Sequence, residues 1–131
     1  MLAWATLAHA DIRFVPGDFD NLQSALDESS STDTIVCRDG TYRGPFFIWA
    51  RNTTIASEFI LDHNPNHIAN CIVRPSNGSP DNRCFDTQPA DSTDTTLRLV
   101  GMTLSLGRAV TTGNVRGGGI YVRNRTANID D

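Results

Sequence analysis

Two stretches of this sequence place chemically capable side chains at short spacing. The first is Asp62-His63-Asn64-Pro65-Asn66-His67. Asp62, His63 and His67 are ligand types that could hold a divalent metal. Placing two histidines on one helical face needs an unbroken turn, however, and Pro65 interrupts it. No second carboxylate cluster accompanies the stretch, so it reads as a solvated loop and no metal is assigned. The second stretch holds Asp81, Arg83, Asp86, Asp91 and Asp94. Calcium needs several oxygens converging on one point, and these carboxylates are dispersed, which suits a polar surface loop. Asp81, Arg83 and Asp86 are kept as candidate ligand contacts.

Trp49, Tyr42 and Tyr121 could stack on sugar rings, although packing in a core or turn is the favoured account of such residues. Trp49 is kept with the candidate ligand contacts. Gly117-Gly118-Gly119 lacks the Lys-Ser/Thr that would follow in a phosphate loop, and no helix opens there. There are three cysteines, Cys37, Cys71 and Cys84, and no C-x-x-C pair that would suggest zinc or a thioredoxin-like site. Cys71 and Cys84 flank the Pro/Gly/Asn-rich loop from Pro75 to Asn82. In an oxidising compartment they could close it as a disulfide; the alternative is three small buried thiols.

The 131 residues suit one domain, and 39% hydrophobic with 20% charged residues is the composition of a folded chain. A net charge of -4 argues against a nucleic-acid surface, and the eleven basic residues are scattered singly, as at Arg38, Arg43, Arg51, Arg74 and Arg83. No stretch approaches the length of a membrane span. Met1 to Ala8 is almost wholly apolar, and Ala8-His9-Ala10 followed by Asp11 fits a signal-peptidase site. The basic start and longer apolar core of a complete signal peptide are missing. Residues 1–10 therefore read as a signal-peptide remnant, with a short apolar first strand as the alternative.

The elements that must position these groups follow from periodicity. Asp11 to Val15 reads as a strand ended by Pro16-Gly17. A helix is predicted from about Phe19 to Asp27, with Asp18 as N-cap and Phe19, Leu22, Ala25 and Leu26 on one face. Ser29-Ser30-Ser31 ends it, and no other helix is expected. Short β-rich segments then begin at Thr34, Thr53, Cys71, Thr96 and Gly119, steps of roughly 19, 18, 25 and 23 residues, which is solenoid spacing. Thr34–Cys37, Thr53–Ala56, Cys71–Val73 and Thr96–Val100 are expected in register as neighbouring parallel rungs, with Ile35, Ile55 and Ile72 buried. The region from Pro75 to Asp94 is expected to project as an insertion. The early helix suits a cap over the first coil. A β-sandwich is the competing architecture, but its two-residue hairpin turns are absent.

The stretch Asp33-Thr34-Ile35-Val36-Cys37-Arg38-Asp39-Gly40-Thr41-Tyr42, preceded by Leu22-Gln23-Ser24-Ala25-Leu26, resembles the opening of pectin-lyase-like β-helix proteins. Ile55-Ala56-Ser57, His67-Ile68-Ala69-Asn70-Cys71-Ile72-Val73 and Leu99-Val100-Gly101-Met102-Thr103-Leu104 resemble later coils of secreted bacterial members. Gly117-Gly118-Gly119-Ile120-Tyr121-Val122 is similar to the Gly-rich repeat of polymorphic outer-membrane proteins. The resemblance implies an all-β, right-handed parallel β-helix with an N-terminal capping helix, spanning residues 11–131 and stopping after a few coils, with further coils expected C-terminally.

The resemblance places the protein outside the cell, at a bacterial cell surface or in the periplasm. It implies a structural or adhesive module touching polysaccharide or cell-surface glycan. The alternative is the N-terminal fragment of a polysaccharide lyase or glycoside hydrolase. Calcium would accompany a lyase, and no cofactor is otherwise expected. No lyase motif maps onto any residue here, so the fragment is expected to be inactive by itself. A truncated gene product without function is the third reading.

Overall fold

The computed structural model describes residues 10–49, 51–76, 81–87, 96–109, 119–121 and 126–130. The expected signal-peptide stretch Met1 to His9, as well as Asp91, Asp94 and Gly117-Gly118, lies outside the described residues. In chain order the elements are β1 (Ile12–Val15), α1 (Leu22–Glu28), β2 (Thr34–Cys37), β3 (Gly40–Gly44), β4 (Phe46–Ile48), β5 (Thr53–Ser57), α2 (Phe59–Asp62), α3 (Asn66–Asn70), β6 (Cys71–Pro75), β7 (Asp81–Asn82), β8 (Phe85–Thr87), β9 (Thr96–Val100), β10 (Thr103–Leu104), β11 (Arg108–Ala109), β12 (Ile120–Tyr121) and β13 (Thr126–Asp130).

The described chain is β-rich, and its strands pair mostly in parallel. A first sheet has the order β1-β2-β5-β9-β13, a second β10-β6-β3 and a third β12-β8-β4. Every pairing within these sheets is parallel. Among the described residues, only β7 and β11 pair antiparallel. The chain visits the three sheets in a fixed order: β2, β3 and β4 lie in the first, second and third, and β5, β6 and β8 repeat that order.

Alternation sets the core. In the first sheet Ile35 pairs with Ile55 and Ile55 with Leu99, and all three are buried. Val73, Cys84, Phe85, Ile48 and Leu97 join them in one hydrophobic cluster. Asp33 fixes the entry to β2. Burial works against its ionisation, but backbone N–H groups of Ser30 and Asp11 outweigh that and hold its carboxyl below the usual range. Their N···O distances are 3.0 and 3.3 Å, and Arg13 Nε adds a third donor at 3.4 Å.

The expected helix forms, but three residues later than Asp18 would start it. Asn21 is the N-cap, its Oδ1 accepting from the Ser24 N–H at 2.9 Å. Asp18 instead accepts the Phe14 N–H at 2.8 Å and closes the turn around Gly17. The later start still buries Leu22, Ala25 and Leu26. Phe19 packs on the cluster from the turn. α1 rests on β1, β2 and β4.

Three expectations are corrected. The stretch read as helix-free contains α2 and α3, two short helices separated by His63 in the left-handed conformation (φ 58°). Pro65 starts the second helix and does not merely break the first, because its fixed φ suits a helix entry. Cys71–Val73 does not stack on Thr34–Cys37 and Thr53–Ala56: Ile72 pairs with Thr41 and Thr103 in the second sheet and is only half-buried. Each circuit of the sheets holds several similar strands, so segment spacing alone cannot assign a strand to its sheet. The region expected to project between Pro75 and Asp94 contributes β8, which pairs with β4 and buries Phe85 and Thr87.

Gly101 has a structural duty. Its φ is +58°, and a Cβ there would come within 2.8 Å of the Phe59 ring. The glycine therefore lets α2 lie against the end of β9.

Ile55→Ala is expected to cost about 3 kcal/mol, the usual range for emptying a fully enclosed aliphatic site, whereas Ile72→Ala is expected to cost no more than about 1 kcal/mol. Urea unfolding of both variants checks the register, since equal losses would place Ile72 in the core ladder.

Candidate functional site

Among the described residues, the densest group of titratable side chains gathers around His67. The Ser57 hydroxyl accepts the Phe59 N–H at 3.2 Å and starts α2 directly after β5. Asp62 Oδ1 accepts the Asn64 N–H at 2.8 Å, and Asn64 Oδ1 accepts the Asn66 N–H at 3.0 Å. These Asx-type bonds shape the link between the helices and aim the first turn of α3 back over the β2–β3 turn. The Phe59 and His63 rings meet edge to face, with centroids 5.6 Å apart.

His67 thereby lies between carboxylates from two elements. Its Nδ1 is 2.7 Å from Asp39 Oδ1 and 3.7 Å from Glu58 Oε2, and its Nε2 is 3.1 Å from Asp62 Oδ2. The bond to Asp39 is the chief reason that the imidazole pKa is raised; desolvation opposes it, and Asp62 adds to it. Asp62 in turn is held below its ordinary range, first by the Asn64 N–H and then by His67. Donor atoms of Asp39, Glu58 and His67 lie within 4.8 Å of one another, a spacing a cation could span. With both ring nitrogens facing carboxylates, a cation would have to displace the imidazole proton. The chemistry on offer is thus proton binding that fastens the α2–α3 segment to the β2–β3 turn.

Of the metal-type residues in the sequence, Asp62 and His67 are brought together, while His63 turns to Phe59. Asp39 and Glu58 were not legible as partners. Asp39 lies 28 positions from His67 and belongs to the Asp-Gly-Thr-Tyr turn, and no local pattern connects the two.

The other sequence candidates divide. Trp49 follows β4 and is 49% exposed, and its indole Nε1–H donates to Asp27 Oδ1 at 2.5 Å. Phe47, two residues earlier, is 42% exposed. Arg83 and Asp86 form an ion pair at 3.2 Å with little exposure of either side chain. Asp86 lies in register beside Phe47. The side chains of Asp81 and Tyr121 lie outside the described residues. Tyr42 packs as expected of a turn aromatic, its hydroxyl donating to the carbonyls of Val15 and Arg38 at 2.8 and 2.7 Å.

All three cysteines are free and buried, so the Cys71–Cys84 bridge is not formed. Cys84 instead donates to the Val73 carbonyl at 3.3 Å. The thiol of Cys37 neighbours that of Cys71, and this hydrogen-bonding contact together with burial pushes the Cys37 pKa well up. The intervening loop does not decide the pairing. Cys71 and Cys37 approach because β6 lies beside β3, which follows β2 after a short turn.

The raised His67 pKa sets a pH window. The favourable interaction is fully present below the unfolded histidine value, about 6.5, and is lost as pH rises through the higher folded value. His67→Gln is therefore expected to lower the melting temperature near pH 5.5 and to leave it almost unchanged near pH 9. Thermal melts of both proteins across that range check this, and a pH-independent difference would assign His67 a packing role only.

No protein-family model, no curated protein and no solved structure matches the chain.

Proposed function

We propose that this chain is a right-handed parallel β-helix module that works outside the cytoplasm, in a structural or adhesive role that includes contact with glycan. The repeated visit to three parallel sheets in constant order supports the β-helix, and parallel crossovers of this type are almost always right-handed. α1, resting on β1, β2 and β4, suits a cap for that helix. The Ala8-His9-Ala10-Asp11 pattern supports export.

The observation that carries the functional reading is the exposed aromatic pair. Phe47 and Trp49 stand two residues apart, and their exposure is that of a surface. Large aromatic side chains gain most from burial, so an outward pair of this kind favours a partner that covers it. The hydrogen bond to Asp27 fixes the Trp49 indole and leaves less side-chain freedom to lose on contact. The Asp27 carboxylate beside the Trp49 indole gives the aromatic pair a polar border, which suits the mixed surface of a sugar ring better than a wholly apolar partner.

A glycan array screened with the full chain should retain at least one neutral or acidic oligosaccharide, and Trp49→Ala should weaken retention roughly tenfold, the scale of one lost aromatic contact. Binding untouched by Trp49→Ala and Phe47→Ala would remove the aromatic pair from the reading. Turnover of the retained glycan that disappears in Asp86→Ala would favour the lyase or hydrolase alternative.

A further inference from the structure

We propose that Arg43 and Arg74, side by side on the outer face of the second sheet, form an oxyanion-binding site for a carboxylate, sulfate or phosphate group. This goes beyond the glycan reading, which rests on a different sheet. In the sequence the two arginines are 31 positions apart; in the fold Arg43 of β3 is the direct parallel partner of Arg74 of β6. Neighbouring strands lie about 4.8 Å apart, so two side chains in register emerge at that spacing. The alternation in β6 buries Cys71, Val73 and Pro75 and turns Ile72 and Arg74 the other way; Arg43 beside them is exposed.

Two positive charges set directly opposite one another repel, and a sheet ordinarily avoids this or places an acid nearby. Among the described residues neither guanidinium has an ion pair or a hydrogen bond. The Arg74 Nε is buried, as is that of Arg83, so the donors that Arg74 can offer to an incoming anion are the terminal nitrogens of its fork. The guanidinium fork presents parallel N–H donors that match two oxygens of a planar or tetrahedral oxyanion. One anion held between the two forks would therefore neutralise the paired charge. Arg43, being exposed, leaves the approach open.

The test uses the whole chain and three probes: inorganic sulfate, an oligosaccharide with a carboxylate on each residue, and its neutral counterpart. Sulfate should raise the melting temperature above that seen with chloride at equal ionic strength, because a ligand of the folded state stabilises it. Calorimetric affinity for sulfate should fall roughly tenfold or more in Arg74→Gln and in Arg43→Gln, the scale of a lost charge-assisted bond. Arg74→Lys, which keeps the charge but not the fork, should fall between them and the parent. In chloride alone, Arg43→Gln should melt no lower than the parent, since a like-charge contact has been removed. Tighter binding of the acidic oligosaccharide than of sulfate would assign the site to an anionic glycan, and binding of sulfate alone would assign it to a free ion. Equal sulfate affinity in the parent, Arg43→Gln and Arg74→Gln would overturn the site. Loss of neutral-glycan retention in Trp49→Ala with sulfate binding intact would show the two surfaces to be separate.

Discussion

In-register parallel stacking is the constraint on which the rest of this structure depends. Ile35, Ile55 and Leu99 sit one above another in the first sheet. Parallel partners cannot be joined by a tight turn, so the chain must travel away and return each time. It does so by way of the second and third sheets, and the excursions differ in length. Thr34 pairs with Thr54, Thr54 with Arg98 and Arg98 with Asn128, offsets of 20, 44 and 30 residues. The register survives because a slip of one residue would turn every buried side chain outward. The loops absorb the variation in length.

The two ends of the first sheet are treated differently. Near β1, the chain invests polar groups in closure. Asp33 gathers backbone donors from Asp11 and Ser30. Gln23 of α1 plays the part of a neighbouring strand for β4: its Oε1 accepts the Phe47 N–H at 2.9 Å and its Nε2 donates to the Phe47 carbonyl at 3.0 Å. One side chain thereby satisfies the edge of the third sheet, which would otherwise offer a free pairing surface. At the other edge of the first sheet, Ile129 of β13 is 66% exposed, and it borders an apolar hollow with Ile68, Leu99, Met102 and Leu104.

The His67 cluster and the arginine pair both follow from strand stacking. Asp39 belongs to the turn that precedes β3, and His67 to the helix that precedes β6; β3 and β6 are partners, so the approaches to them are partners as well. Further along the same two strands, the same pairing sets Arg43 against Arg74. One ladder thus carries an excess of carboxylates around an imidazole at its start and two guanidinium groups beyond it. The net charge of -4 says nothing of this separation.

The sequence by itself determined the local vocabulary. Short β-rich runs bounded by turn residues marked strands such as β1, β2, β5, β6 and β9, and the apolar face Leu22, Ala25, Leu26 marked the helix. Local signals specify whether a segment is extended and which of its faces is buried, because both depend on neighbours within a few residues. Only the tertiary structure decided which strands adjoin. It moved Cys71–Val73 into the second sheet, turned Phe85–Thr87 from a projecting loop into a buried strand, and set Cys37 beside Cys71. It also joined Asp39 and Glu58 to His67, and Arg43 to Arg74, where the sequence offered a loop histidine and scattered single arginines. The physical reason is common to all of these. In a parallel stack each contact is made by residues a whole circuit apart, and the length of that circuit is set by loops whose residues carry no periodic signal.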